Sequence, residues 1–71
     1  MGWCGGTEVF DDVMDAVIEY VPDEDTRRSI AVKVAEALWA GDWDCEADSL
    51  YYEEYLVPIM LDKGFIDPDD I

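Results

Sequence analysis

Nineteen carboxylates and no histidine set the chemistry open to this 71-residue chain. Glu8, Asp12, Asp15 and Glu19 recur at 4-3-4 spacing, which on an α-helix stacks them along one face, and Asp11 flanks the row. Neighbours in such a row stand about 5–6 Å apart at Cβ. Extended side chains widen this toward the spacing of phosphates along a nucleic-acid strand, roughly 6–7 Å. A rod of carboxylates on a rigid helix can therefore compete with DNA or RNA for a basic groove, because it engages the Lys and Arg side chains that would otherwise neutralise phosphate. Association of that kind is fast and salt-dependent.

A second set, Asp42, Asp44, Glu46 and Asp48, alternates with other residues and is followed by Glu53 and Glu54. With Glu53 it falls on the ligand positions of a calcium loop of the EF-hand kind, where a hard cation takes oxygen ligands. Ala47 stands where that loop needs its sharp-turn glycine, and Ser49 where it needs an apolar residue. The set is therefore read as a second acidic patch, with a calcium module as the lesser alternative and no metal or other cofactor expected. Two cysteines without histidine leave a tetrahedral zinc site incomplete. A chain with no His, no evident nucleophile and a thin core has little room for a catalytic pocket, so no enzyme is expected. Trp43, Tyr51, Tyr52 and Tyr55 read first as core. The rival reading is an interface: Tyr52 and Tyr55 beside Glu53 and Glu54 form an edge suited to Arg, through carboxylate forks and cation–π contacts.

The elements that must position these groups are helical. Thr7 is a suitable N-cap after a glycine-rich arm over residues 1–6. From Glu8 to Val21 the apolar pairs Val9/Phe10, Val13/Met14, Ala16/Val17 and Tyr20/Val21 mark one face of an amphipathic helix that Pro22 ends. A second helix opens at Asp23 or Asp25 and buries Ile30, Ala31, Val34, Ala35, Ala37 and Leu38, and Gly41 closes it as a left-handed cap. Asp44 or Asp48 caps a third helix through Leu50, Tyr51, Tyr52 and Tyr55; Pro58 kinks it or starts a fourth, and Gly64 stops the run. Phe65 and Ile66 fold back, and residues 67–71 form a short acidic tail. The expectation is an all-α domain over 1–71, a small compact bundle of three to four helices.

Composition agrees with a folded domain carrying a charged skin. Half the residues are apolar (51%) and 13% are aromatic, which separates the chain from disordered acidic tails. The net charge of −15 exceeds the magnitude of about 2–8 that solubility asks of a small domain. A halophilic host is the alternative source of such a charge. Eight acids precede the first base, Arg27; the basic cluster Arg27, Arg28 and Lys33 is confined to the second helix; ten acids follow Gly41 against Lys63 alone. No run reaches the roughly 18–20 apolar residues of a membrane span. Cys4 and Cys45 are expected to be reduced, small and buried in a cytosolic setting. A bridge between them would instead close a loop of about 40 residues and stabilise by about 3–4 kcal/mol.

The phrase Gly2-Trp3-Cys4-Gly5-Gly6-Thr7, followed by Asp42-Trp43-Asp44-Cys45 with Asp48, Ser49, Tyr51 and Tyr52, resembles a group of small phage and prophage proteins. That resemblance implies a protein made in the cytoplasm of an infected bacterium. In size and acidity the chain is similar in type to phage inhibitors of host defence, such as anti-CRISPR proteins, restriction inhibitors and the uracil-DNA glycosylase inhibitor, several of which imitate DNA. The similarity carries over no functional residue. The expected function is a DNA mimic of the anti-CRISPR type, a monomer or weak homodimer that binds a basic nucleic-acid-binding host protein such as a Cas subunit. It binds neither nucleic acid nor membrane itself. Glu8, Asp11, Asp12, Asp15 and Glu19 are the expected phosphate mimics.

Overall fold

The structure is a computed structural model that describes residues 3–67 and 69. Met1 and Gly2 at the start of the arm, and residues 68, 70 and 71 of the tail, lie outside the described residues. Helix α1 (Gly5–Tyr20) begins before Thr7, with Cys4 at its N-cap and no side-chain cap. The expected Thr7 cap is thus corrected. The hydroxyl sits inside the first turn and donates instead to the Cys45 carbonyl at 2.7 Å. Two glycines, poor helix formers, occupy the start of α1 because a Cβ there has no room: one at Gly6 would lie 2.5 Å from Cδ1 of the Trp43 indole. Val21 is extended before Pro22, as the sequence predicts. The last turn of α1 has no base of its own, and Arg27 reaches back to serve it. Its Nε donates to the Val21 carbonyl at 2.5 Å and its Nη2 to that of Ile18 at 2.8 Å. Both carbonyls gain a cationic partner at the negative end of the helix.

Helix α2 (Glu24–Ala40) has the predicted Asp23 cap, which accepts from Thr26 N at 2.9 Å and Thr26 Oγ1 at 2.6 Å. These bonds hold the Asp23 carboxyl below its ordinary pKa. Gly41 ends α2 but is not left-handed (φ −97°); the left-handed residue is Asp42 (φ 66°). The reversal falls one residue late because Asp42 is tied on both sides. Its N–H donates to Trp39 O at 3.1 Å and its carbonyl accepts from Trp3 N at 2.7 Å. Asp44 N then donates to Trp3 O at 3.2 Å, which makes a short parallel bridge between Trp3 and Trp43.

After a 3-10 turn (Glu46–Asp48), helical structure resumes only at Tyr52. A π-helical turn (Tyr52–Leu56) runs directly into α3 (Val57–Lys63). The expected helix from Leu50 is therefore shorter, and Leu50 itself is 80% exposed. Neither Asp44 nor Asp48 caps it. Pro58 explains the wide turn: it has no N–H, and its ring would collide with the Glu54 carbonyl four residues back. Leu56 N and Val57 N bond instead to Tyr51 O and Tyr52 O. The freed Glu54 carbonyl accepts from Arg28 Nη1 at 3.5 Å. Gly64 closes α3 in the left-handed region (φ 76°), as expected.

Helices α1 and α2 form an antiparallel hairpin, and residues 46–63 cross one side of it. Ser49 and Tyr51 bond to α1, while Arg28 lies over the Tyr55 ring (5.5 Å) and Glu36 pairs with Lys63 on the α2 side. Phe10, Met14, Ala31, Ala35, Tyr55 and Leu56 are enclosed between the layers. Trp43 stacks between Phe10 (5.4 Å) and Trp39 (5.5 Å). Phe65 meets Trp39 edge-on at 5.0 Å yet stays 54% exposed, and Ile66 packs on the core. The fold is all-α, with three α-helices and, among the described residues, no strand. The molecule is only 18 Å thick on its shortest axis, which is two helical layers. Among the described residues, no further element covers the hairpin's second side. Val9, Ala16, Tyr20 and Ala37, expected in the buried faces of their helices, are exposed there. Among the described residues, no helix is long and apolar enough to cross a membrane.

Candidate functional site

Helix α1 has a different neighbour on each side. Phe10, Met14 and Val17 face the core. Thr7, Asp11 and Asp15 face the 45–51 segment. Glu8, Asp12 and Glu19 point away from the core, are exposed, and make no side-chain hydrogen bond or ion pair among the described residues. Of the five predicted phosphate mimics, three thus form an open row.

The other two have structural work. Asp11 is half-buried and accepts from Ser49 Oγ at 2.5 Å and from Leu50 N at 3.1 Å, which pins the turn before the π segment. Asp15 is exposed but accepts the Tyr51 hydroxyl. That bond first, then burial and the charges of Asp15, Asp11 and Glu54, push the Tyr51 phenol up to about 12. A carboxylate used in this way keeps its charge but loses part of its freedom to reach a partner.

Three of the four bases are occupied elsewhere, and the fourth, Lys33, is exposed on α2 and pairs with none of the row. Arg27 is spent on the end of α1 and on Glu24 (3.6 Å). Arg28 is held by Glu24 (3.3 Å) and the Tyr55 ring, and Lys63 by Glu36 (2.7 Å). The Lys63 contact holds the Glu36 carboxyl below its ordinary range. Burial first, then the nearby Glu24 charge, raises the Tyr55 phenol.

The second predicted patch is less open. Asp42 is exposed and its carboxylate makes no bond among the described residues, Asp44 is exposed but its Oδ1 accepts from Cys45 N at 2.9 Å, and the half-buried Glu46 turns its Oε2 to the Trp39 indole N–H at 2.7 Å. Asp48, Glu53 and Glu54 are exposed. The calcium arrangement is not assembled: among the described residues no three Asp, Glu or Cys side chains converge as a metal site. Trp43 (5% exposed) and Tyr55 (1%) are core, and Tyr51 and Tyr52 are half-buried, so the aromatic edge expected as the rival interface is largely internal.

The expectation of two reduced, buried cysteines is corrected. Cys4 and Cys45 are joined in a disulfide with Cα atoms 5.1 Å apart; Cys4 is exposed and Cys45 half-buried. Around it lie the Trp3–Trp43 bridge, the Thr7–Cys45 bond, and the Trp43 indole N–H donating to Thr7 Oγ1 at 3.1 Å. The two Trp-Cys phrases are thus a clasp joining the start of α1 to the segment after α2. Their matched order in the sequence was the available signal for the pairing. The structure also holds a cleft of about 300 Å³ between α2 and α3, lined by Arg28, Val32, Tyr55, Pro58, Ile59 and Asp62. This is the lower end of ligand-pocket sizes, and Arg28 is already occupied there.

No known family model, curated protein or solved structure matches the chain.

Proposed function

We propose that this protein inhibits a basic nucleic-acid-binding protein by presenting Glu8, Asp12 and Glu19 in place of phosphates, with Asp15 at the edge of the row. The observation that supports it is an exposed line of carboxylates without a cationic partner on a folded helix, while Arg27, Arg28 and Lys63 are engaged elsewhere. Such a line displaces phosphate by competing for the same Lys and Arg side chains. Asp48, Glu53 and Glu54 extend the negative surface beyond α1. The setting proposed is the cytoplasm of a phage-infected bacterium, and the target a defence protein of the CRISPR kind whose DNA-binding groove is occluded. In a reducing cytoplasm Cys4 and Cys45 would be thiols, and the clasp would then rest on its backbone bridge and the Thr7 and tryptophan contacts.

The test is capture of partners from a bacterial lysate at low and high salt, with mass spectrometry, using wild-type protein and the Glu8→Lys/Asp12→Lys/Glu19→Lys variant. The expected result is a DNA- or RNA-binding protein held at low salt, released by added duplex DNA, and lost with the variant while its helical circular dichroism is unchanged. Capture that survives the reversed charges, or that duplex DNA does not displace, overturns the proposal.

A further inference from the structure

The uncovered side of the α1–α2 hairpin carries an apolar trough that the acidic row borders. Val9, Val13, Ala16 and Tyr20 share the 4-3-4 spacing of the carboxylates but lie on the neighbouring flank of α1, and Val34 and Ala37 share one flank of α2; Val13 and Val34 are half-buried against the core, and Val9, Ala16, Tyr20 and Ala37 are exposed. Val9 is 40% exposed and Tyr20 77%. At 1.5 Å per residue the α1 side of the trough runs about 16 Å, three helical turns. Trp3, itself 43% exposed, stands at the far end, its ring 3.9 Å from where a Cβ on Gly41 would lie. The trough is thus a strip of short side chains, with the exposed aromatic residues Tyr20 and Trp3 toward its two ends.

Charge identifies that element. Glu8, Asp12 and Glu19 run along the α1 rim, whereas the α2 rim carries Lys33 and uncharged residues such as Ser29 and Thr26. A second copy of this chain would bring another net −15 against the first, with its carboxylate rows close to the same groove. We infer that the trough takes an amphipathic basic α-helix of the target, its apolar stripe laid between α1 and α2 and its Lys and Arg flank set against Glu8, Asp12 and Glu19. This is the helix-in-groove mode of recognition, with anchors at i, i+4, i+7 and i+11. A helix of this kind is also what a DNA-binding protein places in a major groove, so its capture removes the reading element itself. The inference rests on the proposed role of the carboxylate row and adds that apolar contact, not charge alone, sets which basic surface is bound.

The experiment uses two synthetic helical peptides of identical composition. One has Leu at i, i+4, i+7 and i+11 with Arg and Lys along one flank; the other has the same residues scrambled so that no apolar stripe forms. Binding is read by calorimetry against wild type, the row variant Glu8→Lys/Asp12→Lys/Glu19→Lys, and the trough variant Val9→Ser/Tyr20→Ala, whose exposed positions leave the core intact. The expected outcome is that wild type prefers the striped peptide by about tenfold or more, and that the trough variant loses that preference while keeping its weak affinity for the scrambled one. Equal binding of both peptides by wild type, abolished in the row variant, overturns the trough and leaves the acidic row standing. No binding of either peptide by wild type overturns the trough and counts against the row as well. A wild-type dimer in sedimentation that the trough variant lacks overturns the inference by showing that a second copy fills the groove.

Discussion

Asp11 and Asp12 are neighbours in sequence and opposites in use. The side of α1 that carries Asp11 and Asp15 is a fastening: it holds Ser49, Leu50 and Tyr51, and so the turn from which the π segment and α3 begin. The side that carries Glu8, Asp12 and Glu19 holds nothing within the described residues. One residue of helical advance, about 100°, separates the two roles. The connector acids repeat the first pattern, since Asp44 and Glu46 are turned to Cys45 N and Trp39. A large negative charge is thus two populations of carboxylates. One stabilises the fold through charge-assisted hydrogen bonds. The other carries repulsion, a few tenths of a kcal/mol for each i,i+4 pair, with no internal return.

The fastening side can be broken most severely at its covalent end. The Cys4→Ser/Cys45→Ser variant loses a cross-link spanning 41 residues, and its unfolding free energy in urea should fall by about 4 kcal/mol. Reduction of the wild type should produce the same drop, and a loss under about 1 kcal/mol would mean that the Trp3–Trp43 bridge and Thr7 hold the clasp by themselves. Partner capture by the open row should persist in the folded fraction. The adjacent pair of acids gives the next largest contrast. Asp11→Ala strands the Ser49 hydroxyl and frees Leu50 N, and should cost about 2–3 kcal/mol, or roughly 10–20 °C in Tm for a domain of this size. Asp12→Ala should leave Tm unchanged or slightly raised, because it removes only repulsion. Equal effects at the two positions would dissolve the distinction between the sides.

Much of the helical frame was legible in the sequence, for local reasons. Asp23 with Thr26, Pro22 and Gly64 act within a few residues of themselves, so their positions fix helix ends directly. What could not be read depends on partners far along the chain. Thr7 looks like a cap until Cys45 and Trp43 arrive, 38 and 36 residues away. Gly41 looks like a left-handed stop until Trp3 ties Asp42. Apolar periodicity placed Val9, Ala16, Tyr20 and Ala37 in the core because it reports one stripe per helix. A third layer would have covered them, and the described residues form only two. The acidic row was visible as spacing, but spacing alone does not separate Asp15, which receives Tyr51, from Asp12, which receives nothing.

Asp15 is the residue on which the division between the two sides turns, and its partner reports on it. The Tyr51 phenol ionises at about 12 in the folded protein against 10.0 for the free group, chiefly because its proton is donated to Asp15. A raised folded pKa means that the neutral phenol is the form the fold favours. Its contribution is fully present below pH 10 and is lost as pH climbs from 10 through about 12. Ultraviolet titration of the tyrosines should therefore show a late phenol that disappears in Tyr51→Phe. Asp15→Ala removes the acceptor and the charge together, and should draw the Tyr51 midpoint back toward 10 and lower stability at neutral pH. If Tyr51 already ionises near 10 in the wild type, the bond to Asp15 is not held in solution. Asp15 then rejoins Glu8, Asp12 and Glu19, and the open row is four carboxylates long.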